Sequence, residues 1–152
     1  MRHHPALLFT LFQLLALAQV PAWAQQGSII GWGDQVLVDQ ADLEGLVHVS
    51  AGLGFSLALN TDSTIVAWGY NHEGQCWVPA PNRGFVAVAG GGFHSLGLKA
   101  DGSVVAWGTN NGGQCNVPAP NNSFLSIAAG LEFSLGLKSD GSLVAWGYNY
   151  LD

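Results

Sequence analysis

Apolar and polar residues along this chain fall into short runs of strand length, and the runs return on a fixed spacing. Phe85 to Ala89, His94 to Leu98, Ser103 to Trp107 and Gln114 to Val117 each span four or five residues, and Gly, Asn, Asp or Pro separates them. Such punctuation between alternating runs predicts four short strands per repeat. Lys99-Ala100-Asp101-Gly102, between the second and third runs, has the composition of a tight hairpin, with Gly102 free to take a positive φ. Asp140-Gly141 repeats the device. Asp62-Ser63 lacks the glycine, which predicts a strained or different turn there. Helical spacing is absent after the first two dozen residues, which excludes a helical repeat.

The repetition is explicit. Trp-Gly pairs stand at Trp32-Gly33, Trp68-Gly69, Trp107-Gly108 and Trp146-Gly147, at intervals of 36, 39 and 39 residues. Gly52, Gly91 and Gly130 align on this spacing, as do Ser56, Ser95 and Ser134, and Asp62, Asp101 and Asp140. Two copies also share Asn71/Asn110, Gln75/Gln114, Cys76/Cys115, Pro79/Pro118 and Pro81/Pro120. A period near 40 with four strands in each unit is the pattern of a propeller blade, a β-solenoid being the alternative. The expected fold is therefore all-β: an incomplete β-propeller of four-stranded antiparallel blades, about three blades of 39 residues, with repeat units near 29–68, 69–107 and 108–147. Closing such a ring takes several blades, commonly four to eight. The reading favoured is a fragment of a longer propeller; pairing with another copy or another repeat-containing chain to complete the ring, and a short stand-alone stack, are the alternatives.

A different pattern precedes the repeats. Arg2 stands before an apolar run from Ala6 to Val20, and Ala22-Trp23-Ala24 places small residues where a signal peptidase reads them. Residues 1–24 thus read as a secretory signal cleaved near Ala24, leaving a secreted or periplasmic domain of residues 25–152. The run is shorter than the ~20 residues a bilayer-spanning helix needs. The chain has 4 basic and 10 acidic side chains, with 49% apolar and 9% charged residues and 21 glycines. With Arg2 gone, three basic side chains face ten acidic ones, so nucleic acid and anionic membrane are not expected partners.

The motif Gly-x-x-x-Ser-Leu-x-Leu, then Asp-Gly-Ser-Val-Val-Ala-Trp-Gly, then Asn-x-x-Gly-Gln-Cys-x-Val-Pro, read from Gly91 to Pro118, resembles the short bacterial form of the regulator of chromosome condensation repeat. The resemblance covers essentially Ile29 to Asn149 and implies a seven-bladed propeller scaffold. Nuclear members are nucleotide exchange factors for a small GTPase and touch chromatin, a role ill suited to an acidic, exported chain. A secreted bacterial member inhibits β-lactamases through the loops of one propeller face. The resemblance therefore implies binding through loops and specifies no partner.

Candidate chemistry is sparse. His48, His72 and His94 match no metal spacing, and His94 fills the column of Phe55 and Phe133, which predicts a packed ring. Asp62, Asp101 and Asp140 read as turn residues that cap backbone N–H groups. Gly90-Gly91-Gly92 is followed by neither Lys-Ser/Thr nor a helix, so it is not a phosphate loop. Cys76 and Cys115 occupy one column of successive repeats, which favours two buried thiols over a bridge. Trp68, Trp107 and Trp146 are expected in the inter-blade core. No catalytic set, cofactor or metal is expected. Columns that change between copies supply the candidate partner-binding residues: Tyr70, His72, Glu73, Trp77, Arg83, Phe93, Tyr148 and Tyr150. The functional expectation is a secreted, non-enzymatic protein-interaction module that binds through its inter-strand loops. The alternative is a carbohydrate-binding or surface-associated module using Tyr70, His72, Trp77 and Tyr148.

Overall fold

A computed structural model describes residues 44–148. The expected leader, the Trp32-Gly33 pair and Tyr150 lie outside the described residues. Among the described residues, nine strands form three separate antiparallel sheets. The first blade holds β1 (Leu46–Ala51), β2 (Phe55–Asn60) and β3 (Ile65–Gly69). The second holds β4 (Phe85–Gly90), β5 (His94–Lys99) and β6 (Val104–Gly108), and the third β7 (Phe124–Ala129), β8 (Phe133–Lys138) and β9 (Leu143–Gly147). Chain order is spatial order within each sheet, and the same register recurs, with Ser56, Ser95 and Ser134 opposite Trp68, Trp107 and Trp146. No described helix is long and apolar enough to cross a membrane.

Each blade has three strands, not the four expected. Gln114 to Val117, the fourth run by its apolar pattern, is turn and irregular chain, as is Gln75 to Val78. The backbone groups a fourth strand would pair are already committed. Cys76 N–H donates to Asn71 Oδ1 at 2.8 Å and Trp77 N–H to the Gly74 carbonyl at 3.0 Å, while the Gln75 carbonyl accepts from Ser95 Oγ and Trp107 Nε1, each at 2.8 Å. Pro79 and Pro81 have no N–H to give. The outer edge of the third strand is met by a side chain instead: Asn82 accepts from Ile65 N–H and donates to Ile65 C=O, both at 2.8 Å, and Asn121 does the same for Val104. One carboxamide thus supplies both halves of a ladder rung.

The core lies between blades. Phe55, Leu57, Leu59 and Ile65 of the first blade bury against Phe85, Val88 and Trp107 of the second. Ala89, Leu96, Leu98 and Val104 of the second repeat this against Phe124 and Trp146 of the third. Trp107 and Trp146 are core residues as expected, and each donates its indole N–H across the junction, to the Gln75 and Gln114 carbonyls respectively. Trp68 is half-buried. Backbone hydrogen bonds join the blades at both ends: Leu53 N–H to the Gly91 carbonyl at one, Phe85 N–H to the Ser63 carbonyl at the other.

The repeated glycine before the second strand is required by close approach. A Cβ on Gly91 would stand 2.3 Å from the His94 ring, and one on Gly52 would stand 2.0 Å from Phe55. At the turn lacking glycine, Ser63 takes φ 67° where Gly102 and Gly141 take 79° and 84°. The turn is kept, and the serine bears the left-handed conformation.

Candidate functional site

Two ends of the blades carry the loops. One holds the turns after the first strand of each blade and the segments that follow each Trp-Gly pair; the other holds the Asp-x-Ser/Thr turns and the approach to each first strand. At the first end, Gly69 turns the chain with φ 106° and Tyr70 N–H donates to the Gly54 carbonyl at 2.8 Å. Tyr70 then stacks on His72 with ring centroids 6.2 Å apart and planes 14° apart. It also meets Phe93 of the second blade at 5.9 Å and 58°. Glu73 lies beside this cluster, with a carboxylate oxygen 3.8 Å from His72 Nδ1 and the other accepting from Thr109 Oγ1 at 3.2 Å. Four of the expected partner-binding residues therefore converge on the junction between the first two blades.

The other candidates are dispersed. Trp77 is exposed and lies against Gly74, where a Cβ would come within 3.1 Å of its ring. Tyr148 is also exposed, one blade along, and passes so close to Gly112 that a Cβ there would meet its own at 2.9 Å. Arg83 stands at the opposite end, lining a shallow depression with Pro81, Gly84, Lys99, Ala100 and Asp101. Tyr150 lies outside the described residues.

The remaining polar groups serve the scaffold. Asp62, Asp101 and Asp140 each accept from the backbone N–H and the hydroxyl of the residue two positions on. Those hydroxyl bonds, then the N–H bonds, hold the three carboxyls below their ordinary pKa. Lys99 lies 3.8 Å from the Phe85 ring centroid and donates to the Arg83 carbonyl; Lys138 repeats the arrangement over Phe124 with the Pro120 carbonyl. Cys76 and Cys115 are free thiols, partly buried, directed at the Tyr70 and Thr109 carbonyls. Burial raises both, Cys115 to about 11. Among the described residues no group of three His, Cys, Asp or Glu side chains could hold a metal ion.

His94 is fully buried, and its Nε2 lies 2.9 Å from Ser134 Oγ of the next blade. Ser134 spends its one hydroxyl proton on the Gln114 carbonyl at 2.9 Å, so the imidazole must be the donor and carry its proton on Nε2. Nδ1 has no hydrogen-bond partner, and desolvation lowers the pKa to about 4. The Gln75/Gln114 junction, the Asn82/Asn121 clamp and the His94–Ser134 bond were not anticipated from sequence. The first two were visible as repeated columns, but nothing in a column states which backbone group a carboxamide reaches.

The regulator of chromosome condensation (RCC1) repeat family matches residues 46–75, 85–114 and 124–151. Among solved structures, Prp20p from Saccharomyces cerevisiae is similar at 27% identity and a TM-score of 0.61, over 67% of this chain and 30% of that one. The ectodomain of the Physcomitrella patens receptor kinase CR4 is similar at 27% identity and a TM-score of 0.60, over 70% of this chain and 30% of that one. Human WBSCR16 shares the fold at 21% identity and a TM-score of 0.59, over 68% and 33%. The Prp20p study concerns that protein's binding to Gsp1p and histones. This chain spans about a third of the length of each of these structures. No curated protein matches. With three family repeats, each on a three-stranded blade, the chain belongs to the regulator of chromosome condensation repeat family.

Proposed function

We propose that this chain is a non-enzymatic protein-interaction module that engages its partner through the loop end bearing Tyr70, His72, Glu73 and Phe93. The observation that carries this reading is the aromatic cluster across the first two blades: Tyr70 is exposed between His72 and Phe93, with a carboxylate beside it. Exposed aromatic side chains held in place by neighbouring rings have the chemistry of interface anchors. Prp20p, at 27% identity, binds proteins, which supports a protein partner over a small molecule. The leader-like pattern of residues 1–24 supports export, so the partner would be an extracytoplasmic or extracellular protein.

Site-specific photo-crosslinking tests the reading. A photoreactive phenylalanine at position 70 or 93 is expected to trap one defined protein from the exported fraction, while the same residue at position 83 traps none. Equal yields from both ends, or no adduct at position 70 or 93, would refute it. A second reading, glycan binding, is favoured by Trp77, which is 73% exposed beside Gly74. Glycan-array binding lost on Trp77→Ala would establish that alternative, and an empty array would remove it.

A further inference from the structure

The two loop ends of the blades differ in charge. Every described lysine and arginine, namely Arg83, Lys99 and Lys138, stands at the end of the Asp-x-Ser/Thr turns. Both lysines there are already seated on rings of the molecule, Lys99 Nζ at 3.8 Å from the Phe85 centroid and Lys138 Nζ at 4.8 Å from that of Phe124. The Tyr70 end carries Glu73 and Glu132 and, among the described residues, no lysine or arginine. It has the rings and the carboxylate that hold a cation, while the chain's own lysines lie at the far end.

The set is confined to one junction. In the next copy the columns of Tyr70, His72 and Glu73 hold Thr109, Asn111 and Gly112, and that of Phe93 holds Glu132. The blades take the same topology with either set, so the cluster is not a requirement of the scaffold. Glu73 is nevertheless held in place. Its backbone N–H donates to Gln75 Oε1 at 3.0 Å, and one carboxylate oxygen accepts from Thr109 Oγ1 across the junction at 3.2 Å. The other oxygen lies 3.8 Å from His72 Nδ1, too long for a hydrogen bond, so the carboxylate keeps acceptor capacity. Asp62, Asp101 and Asp140, by contrast, each use an oxygen to close their own turn. With both neighbouring rings in place Tyr70 is still 48% exposed, and the Glu73 side chain is 45% exposed.

We infer that the Tyr70 end takes a basic segment of its partner protein, with one lysine or arginine side chain seated against Tyr70 and paired with Glu73. The inference rests on the reading of that end as the binding surface and adds the chemistry of what it binds. A ring face attracts a cation, the adjacent carboxylate accepts its N–H groups, and both are positioned before the partner arrives. The chain's formal charge of −6 favours the approach of a basic segment. Arginine is the sharper probe, because its planar guanidinium stacks on a ring and forks to a carboxylate.

The test is an NMR titration of the purified protein with acetyl-Gly-Arg-Gly-Arg-Gly-amide at millimolar concentration, against the same peptide carrying citrulline, which keeps the shape of arginine without its charge. The arginine peptide is expected to shift the backbone signals of residues 70–75 and 93 and to leave those of 99–102 and 138–142 in place, while the citrulline peptide moves neither. Glu73→Gln and Tyr70→Leu should each weaken the response by about threefold or more. Both side chains are exposed and lie outside the core, so the variants keep the fold. An equal response to citrulline, a response centred on the Asp-x-Ser/Thr turns, or an undiminished response in Glu73→Gln would overturn the proposal. Photo-crosslinking separates the two readings. An adduct at position 70 without a response to arginine keeps that end as the binding surface and removes the basic partner, whereas no adduct at position 70 or 93 removes both.

Discussion

Single residues here take their properties from the repeat column they occupy and from one partner across a blade junction. His94 shows this in a measurable way. Burial lowers its pKa to about 4 from 6.5, so the unfolded chain binds a proton more readily throughout that interval. Stability is therefore complete above pH ~6.5, falls as the pH drops through the window, and is lower by about 3 kcal/mol below pH 4. Urea unfolding between pH 4 and 7 should show this slope in the parent and lose it in His94→Phe, where Phe restores the residue found at positions 55 and 133. The depressed carboxyls of Asp62, Asp101 and Asp140 act in the same direction at still lower pH and are untouched by that change. Ser63→Gly should raise the urea midpoint by the equivalent of about 0.5–1 kcal/mol, because the left-handed φ of 67° is costly for serine and free for glycine.

At the scale of elements, a three-stranded blade is completed by side chains where a fourth strand was expected. The alternation of Gln114, Cys115, Asn116 and Val117 looks like a strand because burial on one side imposes period two on irregular chain as well. What overrides it is the competition for backbone groups: Asn71, Asn110 and the two prolines of each connector leave no ladder to form. Asn121→Ala strips both partners from buried Val104 and should cost about 1–3 kcal/mol in chemical denaturation. Trp107→Ala removes the largest side chain of the first junction and one of two donors to the Gln75 carbonyl, and should cost about 3–5 kcal/mol. A variant melting like the parent would show that the junction contributes little.

For the whole molecule, stacking is the source of stability, since each blade buries its apolar face only against a neighbour. The two cysteines lie in the connectors between blades, and the molecule holds them as thiols. Ellman titration without reductant should give two thiols per chain in denaturant and slow reaction of Cys115 in the native protein at pH 8, where its raised pKa keeps thiolate scarce. Export is the expectation that the pattern of residues 1–24 raises. Amino-terminal sequencing of the protein recovered outside the cytoplasm should begin at Gln25, and a product beginning at Met1 would remove that expectation.

The amino-acid sequence by itself determined the repeat, its 39-residue spacing, and the positions of the three strands of the second blade to within one residue, because period-two burial and turn chemistry are local signals. It also marked Trp107, Trp146 and Asp101, which recur in every copy, and Cys115, which two copies share, as scaffold, since a residue that recurs answers to the fold. Only the tertiary structure decided that Tyr70, His72, Glu73 and Phe93 meet while Arg83 faces the other way, because that depends on which loops two neighbouring blades bring to the same end. The same holds for His94: its column predicts a buried ring, but its tautomer is set by Ser134, forty residues away on the next blade, and its lowered pKa by the desolvation that burial between the blades imposes.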